Sequence, residues 1–379
     1  MLTVEGPDDT VAVTAGRLLG IDHQGARTVS RWQIDNHLEG PSLSAGPYGV
    51  EKRMLDGLSA ATYFFPDNKI LAPRYLEASL RHLKRYSDLF GAYPFDGFAV
   101  VENFFPTGYG FPGYSLMGGR VLRLPFIPET SLPHEIVHSW WGNGVLVDVA
   151  SGNWCEGLTS YTADYLIKEQ ASSHAAMDYR RQALRNCATL VSPATDFPLS
   201  RFRSRTDPAT KAVGYDKSTM VFHMLRKEVG EDAFWASLRH FYGQFRFKHA
   251  SWKDLQAHFE KQTGRSLDSF IGLPDRPEAL RLFPRDLALA PKAFDAGGQH
   301  FDGSGDVLFA VARHPEHPGK NVALLHPLST EAADQAALKI PHYGRYSYLA
   351  FSDGPNRIKG TWEVTDSPVM VRWEPGPTQ

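Results

Sequence analysis

The chain has 379 residues, of which 42% are hydrophobic and 22% charged, and its formal net charge is −2 at pH 7. This composition is typical of a globular protein with ample apolar core, and the length predicts two or three domains. The near-neutral charge gives no electrostatic reason to expect a nucleic acid or an anionic membrane as partner. No apolar run approaches the roughly 18 residues that a membrane-spanning helix needs, and the N-terminus lacks the pattern of a signal peptide. We expect a soluble chain of unknown cellular address, with any export signal lying upstream if the chain is a fragment.

The first 68 residues predict a partial β-domain. Short runs with β propensity, at 11–14 and 28–34, alternate with turns rich in Gly and Pro. A helix is predicted over 73–89, where apolar side chains recur with a helical period. The apolar run 97–101 predicts a buried strand.

Helices dominate the rest of the second predicted domain, which spans residues 69–272. They are expected over 133–141, 154–169, 173–190, 217–229, 231–243 and 252–263. One early strand region followed by many helices is typical of an α+β fold.

The C-terminal part of the chain has a different pattern. From 273 to 305 the periodicity fades and Pro and Gly accumulate, which predicts a linker. Residues 306–379 predict a small α/β module with two strands, a helix and a further strand, at 307–312, 322–325, 330–338 and 346–351. The module contains no phosphate-binding glycine motif, so we interpret it as an accessory or docking unit.

The most informative motif is His134-Glu135-Ile-Val-His138 in the helix predicted over 133–141. Positions i and i+4 of a helix lie on one face, so both imidazoles can bind the same ion. Zinc with three protein ligands keeps a fourth position for water and lowers the pKa of that water to about 7. Glu135, one position along, is placed to act as the general base.

The third ligand is predicted to be Glu156, eighteen residues after His138. An alternative interpretation is that Glu156 only caps a helix, because Asn153 precedes it by three residues as in a capping box. We expect the neighbouring Cys155 to pack, since a fourth protein ligand would close the site, and Cys187 to be a second buried thiol rather than part of a disulfide framework.

Three motifs together resemble the M1 family of gluzincin zinc metallopeptidases, over roughly residues 70–272. They are Trp-Trp-Gly-Asn after His138, Glu-Gly-Leu-Thr-Ser-Tyr beginning at Glu156, and Tyr215-Asp-Lys. The spacing is nearly that of the family: seventeen residues separate His138 from Glu156, where the best-known members have eighteen. The resemblance implies a thermolysin-like α+β catalytic domain, one Zn²⁺ per chain and peptides as substrates. It also implies a longer β-domain than residues 1–68 provide.

The resemblance further implies a role for Tyr215 as the hydrogen-bond donor to the oxyanion of the tetrahedral intermediate. Such a donor typically contributes about 3 to 4 kcal/mol to barrier lowering. The alternative is a tyrosine that only packs ahead of the helix predicted over 217–229.

In the family's exopeptidases, a Gly-x-Met-Glu-Asn strand carries a Glu that binds the free N-terminal amine of the substrate. Glu102 and Asn103 give the nearest match, at the end of the strand predicted over 97–101. The alternative is a solvated acid at a strand end. Five aromatic residues follow within eleven positions, among them Tyr109, and are expected to form the wall of an apolar substrate pocket or simply to pack.

Two classes of function follow. The first is zinc-dependent peptide hydrolysis, with an aminopeptidase favoured over an endopeptidase that lacks N-terminal anchoring. The second is a catalytically inactive peptide-binding relative. Retention of Glu135 favours catalysis, because a binding module has no need of a base.

Overall fold

A computed structural model of the protein describes residues 1–35, 40, 42–105, 108–192, 194–267, 287–290, 292–313 and 321–362. The chain forms two compact units, Met1–Ile271 and Gly272–Gln379.

Short antiparallel strands open the first unit. They are β1 (Leu2–Pro7), β2 (Val11–Thr14), β3 (Arg17–Gln24), β4 (Arg27–Gln33), β5 (Leu43–Gly46), β6 (Gly49–Leu55) and β7 (Leu58–Phe64). β4 pairs with both β1 and β3, and β2 pairs with β5. The strands predicted at 11–14 and 28–34 are therefore confirmed to within one residue.

A mixed five-stranded sheet in the order β6-β7-β8-β10-β9 supports the site. It adds β8 (Phe98–Asn103), β9 (Gly108–Phe111) and β10 (Tyr114–Gly118). β8 runs parallel to both β7 and β10, and β9 returns antiparallel along β10. Val100 packs into the helical core while Val101 packs against the N-terminal strands, so β8 is covered on both faces. This double burial explains the continuous apolar run in its sequence.

Helices form most of the remainder of the first unit. They are α1 (Ala72–Phe90), α2 (Gly119–Leu122), α3 (Ser131–Val137), α4 (Cys155–Thr159), α5 (Leu166–Ala171), α6 (Ser173–Leu190), α7 (Pro208–Lys211), α8 (Ser218–Val229), α9 (Glu231–Phe245) and α10 (Trp252–Thr263). A small sheet of β11 (Trp141–Gly142), β12 (Val145–Val147) and β13 (His249–Ala250) joins the segment after α3 to the segment after α9. Short 3₁₀ turns lie at Pro66–Leu71, Ile127–Glu129, Val149–Ser151 and Leu199–Arg201.

Two of the helical stretches contain a wider π-helical turn. Ser160–Tyr165 joins α4 to α5, and Ala212–Lys217 joins α7 to α8. The helix predicted over 154–169 is thus one continuous stretch with an irregular centre. π turns are rare and often occur at functional sites.

The helical core is rich in aromatic side chains. Trp140, Trp141 and Trp154 are fully buried and pack with residues of α1, α3 and α9. The helix predicted over 133–141 ends earlier than expected, at Val137, because the chain turns there so that Trp141 can enter β11.

The second unit contains two antiparallel sheets. One consists of β14 (Ala288–Ala290), β15 (Ala293–Ala296) and β16 (Gln299–Phe301), within the stretch whose Pro and Gly content predicted a linker. The other has the order β18-β17-β19-β20, with β17 (Asp306–Arg313), β18 (Asn321–Pro327), β19 (Tyr348–Ser352) and β20 (Asn356–Gly360). Helix α11 (Thr330–Lys339), followed by a 3₁₀ turn at Ile340–Tyr343, connects β18 to β19. The two strands, helix and strand expected here are present, and β20 was not predicted.

Among the described residues, no helix has the combination of length and apolar character that crossing a bilayer requires.

Candidate metal and active site

Helix α3 brings the two predicted histidines together. The backbone N–H of His138 donates to the carbonyl of His134 at 3.2 Å, so the two residues lie one helical turn apart. Their ring centroids are 4.9 Å apart, and both side chains are largely buried. The i, i+4 spacing therefore places both rings on one face of the helix.

Glu156 points at this pair from the first turn of α4. Its Oε2 lies 3.8 Å from Nε2 of His134 and 3.5 Å from Nε2 of His138. Asn153 accepts a hydrogen bond from the backbone N–H of Cys155, so the start of this helix has a polar partner other than Glu156. The Glu156 side chain is thus directed to the histidines rather than to a capping position.

These three side chains fit a zinc ion by their donor set. One ligand atom from each of His134, His138 and Glu156 can be chosen so that all lie within 4.8 Å of one another. Two imidazoles and one carboxylate are ligands of the borderline type that zinc takes, and they leave room for a water.

Both imidazoles are held through their other ring nitrogen. Nδ1 of His134 lies 3.0 Å from Oδ2 of Asp164, and Nδ1 of His138 lies 3.1 Å from the carbonyl oxygen of Trp141. Because both acceptors take a proton from Nδ1, the Nε2 atoms are left to face Glu156. A carboxylate or carbonyl behind a histidine in this way orients the ring and raises its basicity as a ligand.

Electrostatics in the cluster favour an ion pair where no cation is bound. Burial alone would lower the pKa of His134, but the Asp164 and Glu156 carboxylates together outweigh burial and raise that pKa to about 10. Burial likewise opposes the charged forms of His138 and Glu156. Their mutual attraction wins, so the pKa of His138 lies well above its usual value and that of Glu156 well below. With both imidazoles neutral, as metal binding requires, the cluster is anionic, and a divalent cation stabilises such a cluster.

Glu135 faces a glycine-lined strand. A side chain built at Gly108 or Gly110 would place its Cβ 3.1 Å from a carboxylate oxygen of Glu135. Both glycines lie on β9 at positions i and i+2, so they share the face that looks toward α3. Glycine at these positions leaves room for the Glu135 carboxylate beside the strand.

Tyr215 lies in the π turn Ala212–Lys217, next to the cluster. Its hydroxyl is within hydrogen-bonding reach of Glu156, and its pKa is raised, chiefly by burial and then by the Glu156 charge. Phe202 packs edge-on against the Tyr215 ring, with centroids 6.1 Å apart. The tyrosine therefore remains a protonated donor beside the metal ligands.

Glu102 is buried at the end of the strand, and its predicted role in binding the substrate amine remains a prediction. It ends β8 as predicted, but its side chain is 4% exposed and both oxygens have partners within the protein. Oε2 accepts from the backbone N–H of Phe65 at 2.9 Å, and Oε1 accepts from Nδ2 of Asn68 at 2.6 Å. Gly119 lies so close that an added Cβ would overlap Oε1. The carboxylate thus ties β8 to Phe65 and to Asn68 in the turn Pro66–Leu71.

Asn103 and Tyr109, the other predicted substrate contacts, differ in their exposure. Asn103 is buried and accepts from the backbone N–H of Phe105 at 2.5 Å. Tyr109 is 53% exposed and lies between Gly108 and Gly110. Because successive strand residues point to opposite faces, its ring lies on the face away from Glu135. The substrate contacts predicted for Asn103 and Tyr109 remain predictions.

Sequence reasoning did not assign roles to Asp164 or to the two glycines of β9. Asp164 follows Glu156 by eight residues, and the stretch between them contains the π turn. One α-helical turn plus one wider π turn takes about eight residues, which returns the chain to the same face. The eight-residue spacing from Glu156 could therefore have indicated that Asp164 faces the same cluster.

Comparison with known proteins agrees with this geometry. Residues 129–273 match the model of the peptidase family M1 domain. The match contains both histidines, Glu135, Glu156, Asp164 and Tyr215. Over this segment, which is less than half of the chain, the protein is similar to the peptidases of family M1.

Two curated aminopeptidases illustrate the extent of the similarity. Human endoplasmic reticulum aminopeptidase 2 is 24% identical over 217 residues, which are 52% of this chain and 22% of that protein. Mitochondrial aminopeptidase 2 of Saccharomyces cerevisiae is 24% identical over 145 residues, which are 37% of this chain and 15% of that protein. The chain thus spans less than a quarter of the length of these relatives. The family match and the similarity to aminopeptidases support the interpretation of this chain as a peptidase.

Solved structures confirm the predicted fold class. The M1 zinc metallopeptidase of Deinococcus radiodurans superposes with a TM-score of 0.56 at 20% identity, covering 69% of this chain and 59% of that one. A mutant of that protein bound to a Tyr-Ser-Ala substrate gives a TM-score of 0.53 at 20% identity, with 69% and 60% coverage. The mixed helix and sheet architecture is therefore that of M1 zinc metallopeptidases.

Proposed function

We propose that the chain is a zinc-dependent peptidase in which His134, His138 and Glu156 hold the metal. The observation that carries the proposal is the convergence of these three side chains, with Glu135 on the same short helix and Tyr215 beside Glu156. Zinc bound there would supply an acidified water and polarise the scissile carbonyl of a peptide.

The chain's own residues supply the remaining chemistry. Glu135 accepts the proton of the attacking water and then delivers it to the departing amine. Tyr215 donates a hydrogen bond to the oxygen that becomes negative as the carbonyl carbon turns tetrahedral. Asp164 and the carbonyl of Trp141 keep the two imidazoles oriented while charge builds up.

Hydrolysis of a peptide panel with and without a chelator tests this proposal. We expect cleavage to stop on chelation and to return on addition of zinc. Glu135→Gln should retain zinc but lose most turnover, because an amide does not accept a proton at neutral pH. Glu77→Gln, an exposed change on α1, serves as the matched control. Undiminished cleavage by Glu135→Gln would remove the proposed base.

The position of the cut has two candidates. The relatives' names favour removal of N-terminal residues. The setting of Glu102 favours cleavage without N-terminal anchoring by this residue, because its carboxylate already accepts two hydrogen bonds in a buried position. An amine that displaced either donor would leave that donor unpaired, at a cost of about 1 to 3 kcal/mol.

One peptide prepared with and without an N-terminal acetyl group separates the two candidates. If Glu102 does not anchor the amine, we expect both forms to be cleaved with similar kcat/KM. Refusal of the acetylated form, with stepwise loss of residues from the free form, would establish N-terminal trimming instead. Mass spectrometry of the products identifies the bond that is cut.

A further inference from the structure

Arg205 is a surface cation adjoining the Tyr215 ring. Its guanidinium carbon lies 6.0 Å from the centroid of that ring, and Tyr215 in turn reaches Glu156. One aromatic ring therefore separates the guanidinium from the metal cluster. Within the described ranges, no carboxylate lies at ion-pair distance from Arg205, so this group is available to an incoming anion.

The neighbouring arginines differ in their surroundings. Arg203 donates to the backbone carbonyls of Ser200, Phe202 and Ala150, which fixes it in a structural role. Arg201 is exposed in the turn Leu199–Arg201. Of the three alternating arginines, Arg205 is the one whose guanidinium stacks over Tyr215.

A cavity of about 560 Å³ opens beside Arg205. Its wall includes Arg205, Asp207, Lys211 and Asp216, with Asn186 and Leu190 of α6. Both acids in its wall have partners: Asp207 caps helix α7 through the Thr210 backbone N–H, and Asp216 accepts from Asn186 at 3.0 Å. Burial raises the pKa of Asp216, and the hydrogen bond from Asn186 and the charge of Lys211 partly oppose that rise.

We propose that Arg205, assisted by Lys211, binds a carboxylate of the peptide substrate in this cavity. A guanidinium binds a carboxylate through paired N–H groups, and its stacking on an aromatic ring fixes the plane of that fork. Tyr215 contacts Arg205 through its ring and reaches Glu156 through its hydroxyl, so a peptide that contacts both the metal and Arg205 spans a few residues of extended chain at ~3.3 Å per residue. The site therefore selects for an acidic group a few residues from the cut bond. This inference rests on the proposed peptidase function.

Equilibrium binding to the zinc-loaded, full-length Glu135→Gln protein tests the inference without turnover. The probes are the peptide Leu-Ala-Ala-Ala as a free acid and as its C-terminal amide. We expect the free acid to bind about tenfold more tightly than the amide, and Arg205→Gln to abolish that difference. Arg201→Gln, the matched control, should leave it unchanged. Equal binding of the acid and the amide, or a difference that survives Arg205→Gln, would overturn the inference.

The source of the carboxylate is resolved by a third peptide, Leu-Ala-Ala-Asp with an amidated C-terminus. If it binds like the free acid, the cavity accepts a side-chain carboxylate; if it binds like the neutral amide, the cavity requires a C-terminal one. Both results support the inference provided that they depend on Arg205.

Turnover by the protein with an intact Glu135 distinguishes failure of the inference from failure of the proposed function. If the protein hydrolyses the free-acid peptide and the amide equally well, the carboxylate site is contradicted and the peptidase proposal is unaffected. If the free acid binds more tightly than the amide but no zinc-dependent hydrolysis occurs, the carboxylate site is supported and the peptidase proposal is contradicted. If Arg205→Gln lowers kcat equally for the acid and the amide, Arg205 acts through Tyr215 and the carboxylate site is contradicted.

Discussion

Oδ2 of Asp164 lies 3.0 Å from Nδ1 of His134, on the side of the ring opposite to Glu156. The carboxylate therefore fixes which nitrogen of His134 carries the proton and directs Nε2 toward the other two ligands. The π turn Ser160–Tyr165 carries Asp164 to this position.

Removing the Asp164 charge should weaken metal binding. Replacement of a carboxylate behind a ligating histidine typically costs about 10- to 100-fold in metal affinity. We expect Asp164→Asn to lower zinc affinity within this range, as measured by competition with a chelator of known strength. Asp178→Asn, an exposed change on α6, should have no effect. Unaltered affinity in Asp164→Asn would show that His134 is oriented without it.

Tyr215→Phe should lower kcat. Loss of one oxyanion donor typically lowers kcat by about 10²- to 10³-fold, whereas KM changes little if the bond forms mainly in the transition state. Tyr242→Phe removes a hydroxyl that donates to the carbonyl of Ala92 and should leave kcat unchanged. Steady-state kinetics on the best substrate of the panel provide both values. A fully active Tyr215→Phe protein would return Tyr215 to a packing role.

Glu102→Gln should reduce stability. The glutamine amide has one oxygen that accepts and one nitrogen that only donates. Its nitrogen would face either the Phe65 N–H or the Asn68 amide nitrogen, so one of these buried donors would lose its acceptor. We expect the free energy of unfolding to fall by about 1 to 3 kcal/mol in urea titrations. The ratio of cleavage rates for free and acetylated peptides should not change. A selective loss of activity on free peptides would show that Glu102 does contact the amine.

His82 should make the first unit acid-sensitive. Its side chain is 3% exposed, and burial lowers its pKa to about 4 from the usual 6.5. As the pH falls, His82 takes up a proton in the unfolded chain before it does so in the folded chain. Its contribution to the free energy of unfolding is therefore fully present above about pH 6.5 and is lost as the pH drops toward 4. The loss approaches about 3 kcal/mol for this group.

The contribution of His82 is measurable by unfolding at several pH values in the presence of chelator, so that metal loading is constant. His82→Gln should flatten the decline between pH 6.5 and pH 4, whereas exposed His174→Gln should not. An equally steep decline in His82→Gln would assign the acid sensitivity to other groups.

Local features of the site were accessible from the sequence. His134 and His138 share a face because their spacing is one helical turn, and Glu156 begins the next helix. The long amphipathic helices were also predictable, since α1 and α10 have clear apolar periods and, in α10, a Ser251 cap.

Contacts that depend on strand pairing were less accessible. The placement of Gly108 and Gly110 over Glu135 follows from the register of β9 on β10, which no local pattern specifies. Glu102 illustrates the same limit: its strand was predicted, but its partners Phe65 and Asn68 lie more than thirty residues earlier. A motif match at one strand end therefore did not determine where the carboxylate points.

The zinc content of the purified protein is the most direct test of the account. After reconstitution and removal of free metal, we expect one Zn²⁺ per chain by elemental analysis, and much less than one in Glu156→Gln, because two imidazoles alone hold zinc weakly. A folded chain that retains no stoichiometric zinc after reconstitution would contradict the metal site and, with it, the proposed hydrolysis.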